Sequence, residues 1–149
     1  MKATRLIVLS LVTTLWAFGA RADGTNAAPV KLSFDLLKSW TYSEAKKTPI
    51  PETITKFDGK RVEIIAYMMP LTEIDKAKEF LLVPYLWGCC YGEPPAVNHM
   101  VIARMPAGKT AKFDSDEIKV RGVFHSGEIR QDGDLVGLYR IDVEEILKP

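Results

Sequence analysis

Two stretches of the chain alternate apolar and polar residues with a period of two, and this alternation constrains the fold more than any other feature. In GKRVEIIAYMMP, which begins at Gly59, the apolar positions of one parity are Val62, Ile64, Ala66 and Met68. In IKVRGVFHSGEI the corresponding positions are Ile118, Val120, Gly122 and Phe124. Side chains of a strand point alternately to its two faces, so each stretch predicts a β-strand with one buried face.

Three further segments complete a set of five predicted strands. They are FLLVPY, NHMVIARM and LVGLYRIDVEEIL, and the turn sequence RQDGD precedes the last of them. We expect Pro70 to end the first strand, because proline has no N–H for a ladder hydrogen bond. Gly122 predicts a bulge or sharp bend in the fourth strand.

The strands are short and no ten-residue helix separates them, so a parallel layered sheet is excluded. The pattern predicts a mostly β protein, with a small five-stranded antiparallel barrel of the OB (oligonucleotide/oligosaccharide-binding) type as its architecture. A closed barrel leaves no exposed edge strands, which an open antiparallel sheet of this size would have. A β-sandwich is the alternative, and neither fold name specifies a function.

A short amphipathic helix is predicted before the strands. In KLSFDLLKSW, Phe34, Leu37 and Trp40 recur every three residues and Ser33 can serve as the N-cap. We expect this helix to cover the outer face of the first strand, whose second parity, including Ile65, is only half polar. The following SEAKKTPIPETITK is predicted to run extended over the surface.

The N-terminus has the pattern of an export signal. Lys2 and Arg5 precede an apolar run of 14 residues, and Ala20-Arg21-Ala22 is a small-x-small cleavage site. We expect cleavage of residues 1–22, a flexible lead over 23–30, and a single domain over 31–149. The run is shorter than the about 20 residues of a spanning helix, so the mature chain is not expected to span a membrane. No cysteine follows the cleavage site, so a periplasmic or secreted protein without a lipid anchor is predicted.

Charge excludes one class of partner. Cleavage removes three basic residues and lowers the formal net charge from +1 to −2. Nucleic-acid binding requires a basic surface, so we expect no nucleic-acid partner.

The loop WGCCYGEPPAVNH, from Trp87 to His99, holds both cysteines and is the predicted functional surface. In an oxidising compartment thiols tend to pair or to bind metal. Cys89, Cys90 and His99 are therefore a possible ligand set for zinc or copper(I). Adjacent residues of an extended chain point to opposite sides, which argues against a preformed tetrahedral site. His125 has the parity of Lys119 and Arg121 and is expected to face water.

Two other interpretations of the loop stay open. The first is a vicinal disulfide between Cys89 and Cys90, which would be strained, because consecutive Cα atoms lie about 3.8 Å apart and disulfides usually need at least about 4.4 Å. Strained disulfides suit thiol exchange. The second is a binding mouth for a small ligand or a partner protein, formed by the aromatic residues Tyr85, Trp87 and Tyr91.

Purely structural roles are the alternative at each position. Trp87 can cap the core, Cys89 can be a small buried apolar residue, and Asn98 can pin the loop backbone through its amide. No nucleophile elbow, phosphate-binding glycine loop or HExxH motif occurs. The sequence therefore predicts a protein that is not an enzyme.

DGKRVEIIAYMMPL and FLLVPYLWGCCYGEPPAVNHMV resemble the exported bacterial family catalogued as domain of unknown function 3299. The resemblance covers most of the mature chain. It matches the family pattern at Gly59, Pro70, Leu71, Phe80, Val83, Pro84, Tyr85, Cys89, Pro94, Pro95 and Asn98. Tyr91 stands where the family often has histidine and Cys90 is extra, which puts a Cys-x-His ligand pair in doubt.

The resemblance implies an exported, periplasmic protein without established catalytic activity. Some relatives are encoded near metal transport machinery, which implies a role in metal handling and a periplasmic or membrane transport component as partner. We therefore expect a non-enzymatic periplasmic binding or accessory protein that acts through the Cys89–Cys90 loop. A thiol-disulfide redox protein and a purely structural or interaction domain are the alternatives.

Overall fold

The computed structural model describes residues 28–71, 73–86 and 95–149. Within these ranges the chain forms six strands and two one-turn helices. In chain order they are β1 (Val30–Lys31), α1 (Phe34–Leu37), α2 (Glu52–Thr55), β2 (Arg61–Pro70), β3 (Glu79–Val83), β4 (Val101–Arg104), β5 (Ile118–Gln131) and β6 (Asp134–Leu147). The predicted signal peptide and most of the predicted lead lie outside the described residues.

The period-two alternation is confirmed in both strands that it predicted. The four residues of the apolar parity of β2, from Val62 to Met68, are all at most 2% exposed. In β5, Ile118, Val120 and Phe124 are buried in the same core cluster. The burial of one parity drives the pairing of these strands, because each sequesters a continuous apolar face from water. β2 ends at Pro70, as predicted.

The strands form a mixed sheet, so the expectation of a purely antiparallel arrangement of five strands is wrong. The strand order is β1-β2-β3-β4-β6-β5, and β2 also pairs with β5. β1 runs parallel to β2, and β4 runs parallel to β6. β2 is antiparallel to both β3 and β5, β4 is antiparallel to β3, and β6 is antiparallel to β5. β4 and β6 therefore point the same way and form a parallel pair where they meet.

The predicted turn and bulge are both present. Gln131 pairs with Asp134 across a two-residue loop, in which Asp132 has φ 52° and Gly133 has φ 96°. This left-handed pair matches the twist of the hairpin. The β5–β6 register shifts at Gly122, where an added Cβ would collide with the backbone carbonyl oxygen of Asp142. Glycine is therefore required there for close backbone approach.

The N-terminal segment packs into the core instead of covering the outer face of β2. Ser33 caps α1 as predicted, since its Oγ accepts a hydrogen bond from the Leu36 N–H at 3.3 Å. Phe34 and Leu37 belong to the same cluster as the buried parity of β2, and Ile65 on the other parity is 47% exposed. The predicted cover is therefore wrong, because the apolar face of this single turn is used by the core. Among the described residues, no helix is long and apolar enough to span a bilayer.

Candidate functional site

The predicted site lies only partly within the described residues. Trp87, Cys89, Cys90 and Tyr91 lie outside them, as do the metal-site and vicinal-disulfide hypotheses that depend on the two cysteines. The flanks of the loop are described. Tyr85 follows β3, and Asn98 and His99 precede β4.

Tyr85 lines a groove of about 510 Å³, which we call the loop-end groove. The groove lies where β1, α1 and the end of β3 meet the outer face of β2 and β5. Its apolar lining is Leu32, Phe34, Ile65, Pro84 and Tyr85, and its polar lining is Lys31, Ser33, Asp35, Lys38, Glu63 and Lys119. Ile65 and Tyr85 expose 47% and 45% of their surface, so the groove offers apolar contact area to a ligand.

Cations outnumber available anions in this groove. Lys38 lies 3.6 Å from Asp35. Glu63 accepts a hydrogen bond from Arg121 at 2.8 Å, and this bond, with the nearby charges of Lys119 and Lys31, lowers the pKa of Glu63. Neither lysine lies within ion-pair distance of a carboxylate in the part of the chain that the structure describes. Their ammonium groups remain available to an anionic ligand.

Asn98 connects the loop to the N-terminal segment. It is 2% exposed, and its Nδ2 donates to the carbonyl oxygen of Trp40 at 2.7 Å. The Trp40 Nε1 donates to the hydroxyl of Tyr139 at 2.8 Å, and that hydroxyl lies 3.4 Å from the Leu37 carbonyl oxygen. Burial raises the pKa of Tyr139 to about 12 against the opposing effect of the Trp40 hydrogen bond. This chain of hydrogen bonds ties Asn98 to the end of α1, and α1 forms one wall of the groove through Phe34 and Asp35.

His99 is partly buried beside this wall. Burial lowers the pKa of its imidazole, and the positive charge of Lys38 lowers it further. The neutral form, which is the form that binds metal, is therefore favoured near neutral pH. Over 28–71, 73–86 and 95–149, no group of three potential metal-ligating side chains comes together. His125 lies elsewhere, on β5, with its Nε2 3.0 Å from Asp142.

Residues 27–148 match the family described as "Protein of unknown function (DUF3299)". The chain belongs to the DUF3299 family. The resemblance seen in the sequence is thereby confirmed. The fold is also similar to the crystal structure of a DUF3299 family protein from Pseudomonas aeruginosa PAO1, with a TM-score of 0.58, 21% sequence identity, and coverage of 81% of this chain and 96% of that one. No curated protein matches the sequence.

This DUF3299 protein has a second groove, of about 440 Å³, on the outer face of β3, β4 and β6 beside the β5–β6 hairpin. We call it the hairpin groove. Its apolar lining is Leu71, Leu81, Met100, Ile102, Ile129 and Val136, and its polar lining is Glu79, Arg104, Arg130, Gln131 and Arg140. Each arginine has a carboxylate partner: Glu79 for Arg104, Glu128 and Glu44 for Arg130, and Asp142 for Arg140.

Sequence reasoning identified the loop flanks but missed the residues that surround them. Trp40 was assigned to the helix stripe, and its hydrogen bond to Tyr139, 99 positions away, has no local signal. The exposed Ile65 was expected to be covered. The half-polar second parity of β2 was nevertheless a usable signal, since an apolar residue that nothing covers marks a possible contact surface.

Proposed function

We propose that this DUF3299 protein is an exported, non-enzymatic binding or accessory protein that acts through the loop-end groove and the adjoining loop from Tyr85 to Asn98. One observation carries this proposal. The groove combines an exposed apolar floor, formed by Ile65 and Tyr85, with two lysines that have no ion-pair partner among the described residues. Such a combination suits recognition of a ligand that is both apolar and anionic.

The lining chemistry also favours binding over catalysis. The hydroxyl of Ser33 accepts the capping hydrogen bond of α1, and Glu63 is held by Arg121. The side chains that remain available are apolar surfaces, ammonium groups and the exposed carboxylate of Asp35, which lies 3.6 Å from Lys38. These groups supply contact area and charge to a bound partner.

The fold proposal is a small barrel of the OB type. The additional pairing of β2 with β5 supports it, because the pairings β2–β3, β3–β4, β4–β6, β6–β5 and β5–β2 form a closed circuit of five strands. Small barrels of this type bind ligands on their faces and loops. The two-residue β1 would then be an addition beside the first barrel strand.

Metal handling is the role that the loop would add. Cys89, Cys90 and His99 would hold zinc or copper(I), since thiolates and neutral imidazole are suitable ligands for both. A periplasmic or membrane transport component is the partner that we propose for such a protein.

An NMR fragment screen on the ¹⁵N-labelled mature protein tests the groove. Small carboxylic acids with an apolar body are expected to shift the amide signals of Ile65, Tyr85 and Lys119. The signals of Leu81, Ile102 and Val136 in the hairpin groove serve as the internal control. Hits that cluster at the hairpin groove, or no hits at millimolar fragment concentrations, would refute the proposal.

Native mass spectrometry with a thiol assay tests the metal role separately. The mature chain, titrated with Zn²⁺ or with Cu(I), is expected to hold one ion, and Cys89→Ser is expected to weaken binding more than Cys90→Ser. His99→Gln should also weaken it, and His125→Gln should not. A two-dalton mass loss without metal would favour the thiol-disulfide alternative. Free thiols without metal would refute both the metal role and the thiol-disulfide alternative.

A further inference from the structure

The hydrogen-bond ladder along one edge of β2 has a gap at the loop-end groove. On its first edge β2 pairs with β5 continuously from Arg61 to Ala66. On its second edge it pairs with β1 at Val62 and Glu63 and with β3 from Tyr67 onward. Within the described residues, nothing pairs with Ile65 on this second edge.

The backbone polar groups of Ile65 point into this gap. The Glu63 carbonyl oxygen accepts a hydrogen bond from the Leu32 N–H at 2.9 Å, so the Glu63 backbone faces the β1 side. Backbone groups of alternate residues in a strand point to the same edge. The N–H and C=O of Ile65, two residues later, therefore face the same side, between β1 and β3.

The neighbouring segments keep the gap open. After Leu32 the chain turns into the Ser33 cap of α1 and leaves the sheet. On the other side β3 ends at Val83, and no described residue after it pairs with β2. From Glu63 to Tyr67 the opening spans about 13 Å along β2, enough for a short extended segment.

The groups around the gap favour an acidic ligand. Lys119 lies directly opposite Ile65 on β5, and Lys31 lies beside Glu63 on β1. Side chains at paired positions share a face of the sheet, so both lysines flank the exposed Ile65. With Tyr85 at the end of the groove, apolar surface, positive charge and one backbone donor–acceptor pair that no described residue satisfies occur together.

We propose that the loop-end groove binds an extended acidic peptide segment of a partner protein, which adds a short strand beside Ile65. A peptide supplies both an N–H and a C=O to the free backbone pair, whereas a fatty acid supplies neither in strand geometry. Its carboxylates meet Lys31 and Lys119, and its apolar side chains contact Ile65 and Tyr85. This inference rests on the proposed binding function and names its partner class.

Fluorescence anisotropy with a labelled, end-blocked hexapeptide Asp-Thr-Val-Thr-Asp-Thr tests the proposal, because alternate residues of a strand place both aspartates and the valine on the face of Ile65. The mature wild-type protein is expected to bind it, and the double variant Lys31→Gln/Lys119→Gln is expected to bind it at least about ten-fold more weakly, a loss of about 1.4 kcal/mol. Arg104→Gln in the hairpin groove is the matched control and should bind as wild type. Circular dichroism melting checks that each variant is folded.

Two N-methylated peptides test the strand pairing itself. One carries the methyl groups on every threonine nitrogen and the other on the aspartate and valine nitrogens. Because a strand bonds a single edge through alternate residues, only one of them should lose binding. Equal affinity of the two peptides, no binding of the parent peptide at 1 mM, or no effect of the lysine changes would overturn the proposal.

Other occupants have distinct signatures. Lysine-dependent binding of decanoate without peptide binding would assign an anionic amphiphile, and self-association that the double variant abolishes would assign a second copy. Either result overturns the peptide proposal. Fragment hits in the loop-end groove would then still support the proposed binding function. The absence of such hits would refute the binding function as well as the peptide proposal.

Discussion

The loop-end groove and the hairpin groove are similar in size and lining but differ in how their polar groups are used. In the hairpin groove, Arg104 lies 2.6 Å from Glu79 and Arg140 lies 3.1 Å from Asp142. In the loop-end groove, Lys31 and Lys119 have no such partner among the described residues, and the backbone of Ile65 faces a gap in the sheet. The difference teaches that basic residues of a groove are more available to an anionic ligand where carboxylates of the same chain do not already contact them.

The cost of displacing existing partners explains this difference. An anion that enters the hairpin groove must compete with carboxylates that already contact the guanidinium groups. An anion that enters the loop-end groove meets ammonium groups that form no close ion pair among the described residues and that interact with Glu63 only at longer range. Electrostatic complementarity then contributes to association at the second site and largely cancels at the first.

The largest difference in unfolding free energy should be that between alanine substitutions at Gly122 and at Gly137. Gly122→Ala, in the β2–β5 layer behind the loop-end groove, places a methyl group against the Asp142 carbonyl and should cost about 3 kcal/mol or more of unfolding free energy. Gly137→Ala meets only the terminal Cδ1 of Ile102, at 3.0 Å, and should cost about 1 kcal/mol. Urea unfolding measures both. Equal costs would show that the bulge at Gly122 can relax.

The next largest effect should follow from Asn98→Ala. This change leaves the Trp40 carbonyl without its donor in a partly buried position and should cost about 1 to 3 kcal/mol. Tyr42→Phe is the matched control, because it removes an exposed hydrogen bond to Glu128 and should change the melting temperature little. If Asn98→Ala unfolds like wild type, the wall of the loop-end groove does not depend on this bond.

Removal of a single charge should lower the stability of the protein in the hairpin groove but not in the loop-end groove. Arg104→Gln breaks the pair with Glu79 and should cost about 0.5 kcal/mol at low salt, because both side chains are half exposed. Lys119→Gln should cost nothing measurable. Differential scanning fluorimetry in 20 mM and 500 mM NaCl tests this, since salt should remove the difference. A larger loss for Lys119→Gln would mean that this lysine is structurally paired.

The smallest effect should be a pH dependence from His99. Its pKa in the folded state lies below the ordinary value of 6.5, so the unfolded chain binds the proton more readily. The contribution of His99 to stability is full above pH 6.5 and is lost as pH falls from there through the lowered pKa. His99→Gln should make the unfolding free energy depend less on pH below pH 6.5. His125→Gln, a change at the other histidine, is the control. An unchanged slope in His99→Gln would contradict the assignment.

Local periodicity predicted much of the fold, and long-range pairing explains what it could not predict. The alternation in β2 and β5, the Ser33 cap and the Asp132-Gly133 turn depend on residues close in sequence. The parallel β4–β6 pair depends on which strands meet, which no short pattern encodes. The exposure of Ile65 depends on where α1 docks.

The candidate site divides in the same way. Tyr85 and Asn98 stood out because aromatic and amide residues beside a glycine-rich loop are conspicuous in sequence. Lys31 and Lys119 belong to different strands and come to one face only through the β1–β2 and β2–β5 pairings. That neither has an ion-pair partner in the described part of the chain is visible only once the positions of the carboxylates are known.

Amide hydrogen exchange at Ile65 tests the central claim most directly. In the free mature protein, the Ile65 N–H should exchange close to the rate of an unstructured peptide, while the N–H groups of Ile64 and Ala66, bonded to β5, should be protected at least about 100-fold. Addition of the acidic hexapeptide should then protect Ile65. An Ile65 amide as slow as its two neighbours before any peptide is added would contradict the account.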